Sequence, residues 1–167
     1  MNFETARNSM VENQLRPNKI ADLRIINIFN EVAKEEFLRD ELKKIAYSDD
    51  DIELTSNRGY LKNLHIAQLI QFSNIKPDDK VLHIGGLTGY VTSLLCKLSN
   101  NVIVIENDEQ LMIELKNNLK KNNLVNVETI NRDLELGYVE KSPYDIILID
   151  CHLKHLPNLV LNQLNPD

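Results

Sequence analysis

The sequence predicts an α/β fold with a doubly wound, Rossmann-like parallel sheet and an N-terminal helical extension. Beyond the turn at 76–79, short apolar runs alternate along the chain with segments of helical period. The apolar runs lack the polar alternation of a half-exposed strand, so we expect strands that are covered on both faces. Strand–helix alternation of this kind predicts a parallel sheet with right-handed crossovers. We therefore divide the chain into an extension, residues 1–75, and a Rossmann-like region, residues 76–167.

The extension is predicted to be mostly helical. Apolar residues recur at helical spacing over residues 3–10, and Asp22 is placed to cap a second helix. Residues 34–46 predict one or two short helical turns. Residues 52–62 show no clear period, so neither a strand nor a helix is predicted there. Asn63 is expected to cap the apolar helix that follows.

Four strands and three helices are predicted in the Rossmann-like region. The strands are expected at 81–84, 102–105, 127–130 and 146–149. The helices are expected at 88–98, 108–121 and 157–164, the last with a proline in its first turn. The fourth strand has no polar alternation, so we expect it to be paired on both sides. Because the chain stops soon after it, we expect a sheet that is incomplete at the C-terminus and a chain that is a fragment or truncated gene product.

Composition narrows the class of protein. Of the 167 residues, 43% are hydrophobic and 26% are charged, which is ordinary for a globular domain. The formal net charge of −6 argues against a nucleic-acid partner, because phosphate binding needs clustered Lys and Arg. No apolar run approaches the roughly 20 residues that span a bilayer, and the N-terminus lacks the apolar core of a signal peptide. We expect a cytoplasmic protein without a membrane partner, in which Cys96 and Cys151 are buried thiols.

The candidate functional site begins in the loop after the first predicted strand. Three of the five glycines of the chain, Gly85, Gly86 and Gly89, lie in this loop, directly before a predicted helix. Glycines allow a sharp turn and a close approach of the backbone to a ligand, and the helix N-terminus offers free N–H groups. The alternative is a tight strand–helix turn that binds no ligand.

Acidic residues follow the next strands at the same predicted edge of the sheet. Glu106 ends the second strand, about twenty positions after the glycines, where a carboxylate can accept both hydroxyls of a ribose. Asp133 follows the third strand and is placed to accept a hydrogen bond from an adenine amino group, although an ordinary turn aspartate is the alternative. Asp150 ends the fourth strand. Together with the glycines, these residues predict an adenosine site.

The spacing of the glycines distinguishes two cofactors that contain adenosine, NAD and S-adenosylmethionine (SAM). The dinucleotide fingerprint G-x-G-x-x-G is not met, because the glycines stand at 85, 86 and 89. This spacing disfavours a pyrophosphate cradle and is closer to the loop of SAM-dependent enzymes. SAM is therefore the expected cofactor, and a NAD-dependent oxidoreductase is a weaker alternative. No metal is expected, since His152 and His155 lack closing ligands.

Three segments of the chain resemble a known family. Residues 6–15, with Phe37 and the AYSD at 46–49, are similar to a helical N-terminal extension, and KPDDKVLHIGGLTGYVTSLLCKL is similar to a glycine-loop signature. SPYDIILIDCHLKHLPNLVLNQLNPD is similar to a fourth strand and its helix. On these residues, nearly the whole chain resembles the protein-L-isoaspartate (D-aspartate) O-methyltransferase family. The resemblance implies a Rossmann-like SAM-dependent methyltransferase sheet and a substrate-side loop within residues 1–75. It also implies methyl transfer from SAM to a carboxylate of isoaspartyl residues in damaged proteins or peptides.

Three substitutions depart from the pattern of that family. His83 stands where the family has an acidic residue in the first strand, and Leu87 replaces the middle glycine of the loop. Leu61 stands at the position of the reactive-site serine, so no catalytic residue is assigned. These departures leave open a non-catalytic relative that binds SAM or has a structural role. They also predict weak SAM binding, and the incomplete sheet predicts little or no methyl transfer by this chain alone.

Overall fold

The structure is a computed structural model that describes residues 2–166, and the chain divides into two compact units, Met1–Asn74 and Ile75–Asp167. Within the described part of the first unit, three α-helices and an antiparallel hairpin are joined by short helical turns. These elements are α1 (Phe3–Met10), α2 (Leu23–Glu31), β1 (Ile52–Thr55), β2 (Arg58–Tyr60) and α3 (Asn63–Ser73).

The helices of the first unit begin at side-chain caps. Asn2 caps α1 and Asp22 caps α2, each by accepting a backbone N–H hydrogen bond with its side chain. The predicted helix at the N-terminus and the predicted Asp22 cap are therefore confirmed. Two 3-10 turns, Lys34–Phe37 and Lys43–Ile45, confirm the short helical turns that were predicted between α2 and the hairpin.

The hairpin corrects the prediction for residues 52–62, where no strand was expected. β1 and β2 pair in antiparallel fashion, with Ile52 opposite Tyr60 and an irregular register between Glu53 and Thr55. Both strands are short, and the irregularity interrupts the two-residue period on which recognition of a strand depends. The sequence signal is weak for that reason.

The role predicted for Asn63 is wrong, because Lys62 is the N-cap of α3 and Asn63 is the first residue of the helix. The Asn63 side chain is fully buried, where its Oδ1 accepts a hydrogen bond from Lys34 Nζ at 2.9 Å. Its Nδ2 donates to the carbonyl oxygen of Ala46 at 3.1 Å. The buried Lys34 ammonium also lies over the ring of Tyr60, 5.4 Å from the centroid. Since a buried charge needs such partners, Asn63 stabilises the core instead of capping the helix.

The second unit contains a parallel sheet flanked by helices, as the sequence predicts. Its elements are β3 (Lys80–Ile84), α4 (Tyr90–Leu98), β4 (Asn101–Glu106), α5 (Glu109–Lys121), β5 (Val127–Asn131), β6 (Ile146–Ile149) and α6 (Asn158–Leu161). All four predicted strands are confirmed, and they pair in the order β5-β4-β3-β6. Along the chain, β4 and then β5 are added on one side of β3, and β6 is added on the other side of β3. The strand order therefore reverses between β3 and β6, which is the switch point where such sheets bind ligands.

The two ends of the sheet differ from its centre. β3 and β4 are buried along nearly their whole length, as expected for strands covered on both faces. β5 and β6 are only partly buried. Within residues 2–166, β6 has a strand neighbour on one side only, which is β3. No helix in this range is long and apolar enough to span a bilayer.

All three predicted helices are shorter than expected, α5 only by its first residue, Asp108, which is the N-cap. α4 begins at Tyr90, and not at residue 88, because Gly89 has a φ of +97° and cannot belong to the helix. α6 ends at Leu161, and the next residues form a tighter turn in which the N–H groups of Gln163 and Leu164 donate to the carbonyl oxygens of Val160 and Leu161. The chain then forms an isolated parallel bridge between Leu164 and Tyr144.

Candidate cofactor-binding site

The glycine loop and the ends of the strands are tied together at the carboxyl edge of the sheet. Gly85 and Gly86 follow β3, and both of their N–H groups donate to the carbonyl oxygen of Ile105 at 3.0 Å. On the other side of β3, the N–H of Asp150 donates to the carbonyl oxygen of Ile84 at 2.9 Å. This edge is the one at which open α/β sheets bind their ligands.

The three glycines of the loop are required for two different reasons. Gly85 and Gly89 have φ values of +95° and +97°, a backbone conformation that residues with a side chain rarely adopt. At Gly85 a Cβ would also lie 2.8 Å from the carbonyl oxygen of Asp150. At Gly86 a Cβ would lie 2.4 Å from Leu115 Cδ1. A Cβ there would also lie 2.6 Å from Val104 Cγ2, so a side chain at position 86 would displace Leu115 of α5 and Val104 of β4.

Leu87 lies in the middle of the loop with a backbone conformation that is costly for leucine. Its φ is +50°, and its side chain is fully buried. A left-handed backbone costs a residue with a side chain about 1–2 kcal/mol. The positive φ on which the prediction of weak SAM binding depends is thus present, and the affinity itself stays a prediction.

Glu106 holds the glycine loop through its carboxylate. Its Oε2 accepts a hydrogen bond from the N–H of Leu87 at 2.8 Å. Its Oε1 accepts from the N–H groups of Asn107 and Asp108, at 2.9 and 3.0 Å. The side chain is fully buried. A carboxylate offers about four acceptor positions, so the predicted acceptance of both ribose hydroxyls would compete with these backbone hydrogen bonds.

The other two predicted acidic residues lie at the same edge in contrasting environments. Asp133 is exposed, and its Oδ1 accepts a hydrogen bond from the N–H of Glu135 at 3.0 Å, which caps the 3-10 turn Leu134–Leu136. It therefore has the geometry of a turn aspartate, while its carboxylate stays accessible to solvent. Asp150 is buried, and its Oδ2 lies 3.9 Å from Nε2 of His83.

His83 belongs to a buried polar cluster that the sequence does not reveal. Its Nδ1 lies 2.9 Å from Oγ1 of Thr92, in helix α4. Both side chains are fully buried, and Asp150 is 6% exposed. Thr92 was not predicted as a site residue. Its segment is mostly apolar, and only the packing of α4 on β3 places its hydroxyl beside the imidazole.

The structure thus brings most of the predicted site residues together. The glycine loop is linked to Glu106 by a hydrogen bond, and Asp150 lies against Gly85. Asp133 follows β5 at the same edge and makes its own local turn. The half-buried Cys151 also reaches the loop, since its Cβ would lie 2.9 Å from a Cβ added at Gly85.

Comparison with known proteins identifies the family. The chain matches the family model for protein-L-isoaspartate(D-aspartate) O-methyltransferase over residues 5–167. A protein-L-isoaspartate O-methyltransferase from Herpetosiphon aurantiacus is 30% identical over 163 residues, which cover 98% of this chain and 73% of the relative. One from Koribacter versatilis is 28% identical over 162 residues, which cover 97% of this chain and 73% of the relative.

Solved structures agree on the fold. A protein-L-isoaspartate O-methyltransferase superimposes with a TM-score of 0.83 at 23% identity, over 95% of this chain and 52% of the other. A Plasmodium falciparum protein-L-isoaspartate O-methyltransferase, solved with S-adenosyl-L-homocysteine, superimposes with a TM-score of 0.79 at 20% identity, over 95% and 79% of the two chains. The fold class and the resemblance predicted from the sequence are confirmed. By its match to the family model and to these curated relatives, the chain belongs to the protein-L-isoaspartate(D-aspartate) O-methyltransferase family, whose members are SAM-dependent methyltransferases.

Proposed function

We propose that this chain binds SAM at the carboxyl edge of the sheet and transfers its methyl group to a carboxylate of isoaspartyl residues. One observation supports the proposal best. In a chain of this family, the glycine loop lies beside the switch point of the sheet and donates a hydrogen bond to Glu106. The proposed cofactor site consists of the three loop glycines and three acidic residues: Gly85, Gly86, Gly89, Glu106, Asp133 and Asp150.

The residues at this edge fit an adenosine-containing ligand. The loop turns sharply at Gly85 and Gly89, and α4 begins directly after it, so the first N–H groups of the helix face the edge. Glu106 orders the loop, and the exposed Asp133 carboxylate stands at the end of β5, where it can accept from an amino group. When bound, SAM supplies a methyl group activated by a sulfonium.

The proposed reaction asks for little acid–base chemistry from the chain. A carboxylate acceptor has an ordinary pKa of about 4, so it is already ionised at neutral pH and needs no general base. One of its oxygens forms a bond to the methyl carbon while the carbon–sulfur bond breaks, and the electron pair stays on sulfur. A methyl ester and a neutral thioether result, and no proton moves. The chain's task is orientation and the exclusion of water, and orientation can be worth up to roughly 7–11 kcal/mol.

The same proposal includes a substrate and a cellular compartment. The substrate is a protein or peptide that carries an isoaspartyl residue, and residues 1–75 are proposed to provide its substrate-side loop. No catalytic side chain is assigned, since Leu61 stands where the family has its reactive-site serine. The compartment proposed is the cytoplasm, where repair of damaged proteins needs SAM.

A non-catalytic, nucleoside-binding relative is the second candidate. It is favoured by Leu87, which has a φ of +50° and a fully buried side chain where the family has a glycine. It is also favoured by Glu106, whose carboxylate already accepts three backbone N–H groups. Binding of SAM is common to the two candidates, whereas methyl transfer to an isoaspartyl peptide would exclude the second.

The test combines calorimetric titration with a turnover assay. SAM and S-adenosylhomocysteine are titrated separately, with NAD as the probe for an oxidoreductase, and methyl transfer to an isoaspartyl peptide is compared with transfer to its aspartyl twin. We expect both SAM-related ligands to bind and NAD not to bind. Glu106→Gln should weaken SAM binding by about 1–3 kcal/mol, while the control Glu109→Gln, an exposed residue of α5, should not. Binding without methyl transfer is the result that both the second candidate and the incomplete sheet predict, whereas methyl transfer to the isoaspartyl peptide alone would support the enzyme. NAD binding without SAM binding would overturn the proposal.

A further inference from the structure

A buried imidazole and a buried carboxylate meet at the switch point of the sheet. His83 is the fourth residue of β3, and Asp150 directly follows β6, its neighbour on the other side of the reversal. Their side chains approach to 3.9 Å, between Nε2 and Oδ2. The backbone of Asp150 also lies against Gly85 of the loop, where a Cβ would meet its carbonyl oxygen at 2.8 Å. The pair therefore borders the proposed cofactor site.

Asp150 brings a carboxylate against the buried His83 imidazole. In the sheet, the residues that flank it in register are Val104 on β4 and Leu148 on β6, both of which are apolar. Thr92 reaches it from α4. Two other carboxylates lie at this edge: Glu106 at the end of β4 accepts from N–H groups of the loop, and the exposed Asp133 caps its own turn.

The contact with Thr92 fits both charge states of the imidazole. A hydroxyl can donate to a neutral ring nitrogen or accept from a protonated one, so neither state of His83 loses this hydrogen bond. Imidazole is also the side chain whose charge ordinarily changes between about pH 5 and 8. With Asp150 ionised, as a carboxyl group ordinarily is at neutral pH, the pair has a net charge of −1 when His83 is neutral and 0 when His83 is protonated.

We infer that His83 is a specificity-determining residue, which sets how strongly the site prefers the cationic sulfonium donor over the neutral thioether product. This inference rests on the proposed function. SAM and S-adenosylhomocysteine differ by one methyl group and one positive charge at sulfur, and they share every other charged group. A pair with net charge −1 favours the cation, whereas a neutral pair loses this preference. Because both side chains are buried, the attraction is weakly screened by solvent.

The experiment measures the ratio of the dissociation constants of SAM and S-adenosylhomocysteine by calorimetry between about pH 5.5 and about pH 8.5, the range in which imidazole titrates. Sinefungin, which carries an amine in place of the sulfonium, is the stable cationic probe. We expect the dissociation constant of SAM, divided by that of S-adenosylhomocysteine, to rise roughly tenfold toward low pH. A unit charge some 10 Å away at an effective dielectric constant of about 20 has an effect of this size. Sinefungin should follow SAM.

Variants separate this inference from a purely structural role of the pair. In His83→Gln the ratio should not change with pH, while the control His65→Gln, an exposed histidine of α3, should behave like the wild type. If His83→Gln does not fold, Asp150→Asn gives the second test, because removing the carboxylate should weaken SAM relative to S-adenosylhomocysteine at high pH. A constant ratio in the wild type, or an unchanged pH dependence in His83→Gln, would overturn the inference alone. Failure of both ligands to bind at any pH would overturn the proposed function as well.

Discussion

Replacing Leu87 first by alanine and then by glycine separates two effects that the residue combines. Its buried side chain contributes packing, and its φ of +50° costs conformational energy. Leu87→Ala removes the packing and keeps the strain, whereas Leu87→Gly removes both. The matched position is Leu94, which is equally buried but lies within helix α4.

The expected free energies follow from these environments. Deleting a buried leucine side chain to alanine costs about 2–5 kcal/mol of unfolding free energy, so both alanine variants should be destabilised. At Leu87, the further change to glycine relieves about 1–2 kcal/mol of backbone strain and loses about 0.4–1 kcal/mol through unfolded-chain entropy. Glycine should therefore be the more stable of the two by roughly 0.5–1 kcal/mol. At Leu94, glycine should be less stable than alanine by about 1 kcal/mol.

Urea denaturation of the four variants measures these differences, with circular dichroism as the probe and a common slope as the check on two-state unfolding. The decisive quantity is the sign of the alanine-to-glycine step at each position. Opposite signs at the two positions are expected. If glycine is less stable than alanine at position 87 as well, the loop is not strained there, and the prediction of weak SAM binding from backbone strain loses its basis.

Three further changes test other parts of the structure. Gly86→Ala should cost about 1–3 kcal/mol of unfolding free energy by overpacking against Leu115. The same change should cost less when it is made in the Leu115→Ala variant, and an equal cost in both backgrounds would refute the contact. Glu106→Gln should lower the melting temperature, because it replaces a charged acceptor of three backbone N–H groups, whereas an unchanged value would show that the loop is ordered without it. Burial raises the pKa of the Cys96 thiol to about 12, so a thiol reagent at neutral pH should label the half-buried Cys151 first; equal labelling rates in the native protein would contradict this.

Much of the fold could be predicted because the signals are local. The four strands of the sheet are continuous apolar runs, and their positions agree with prediction to within one residue at each end. The Asp22 cap could also be predicted from the sequence, because a helix cap depends on residues that are close together in the chain. The hairpin β1–β2 was missed because its short strands have an irregular register, so the pairing depends on contacts between two segments instead of on the period of either.

The candidate site shows the same division. The glycine spacing and the acidic residues at strand ends predicted that these residues meet at one edge of the sheet, because parallel strands present their carboxyl ends together. The roles of individual side chains could not be predicted as well from the sequence. That Glu106 accepts three backbone N–H groups, and that Asp133 caps a turn, depend on the local path of the chain.

The sequence by itself determined the class of fold, the family and the edge of the sheet at which the candidate site residues meet, since each depends on residue types at regular spacing. Only the tertiary structure decided that Leu87 is both buried and left-handed, that Gly86 is needed for the packing of α5, and that His83 meets Asp150. The physical reason is distance along the chain. His83 lies in β3 and Asp150 directly follows β6, two strands that are adjacent in the sheet but far apart along the chain. Only the crossover to the far side of β3 brings the buried imidazole and the buried carboxylate together.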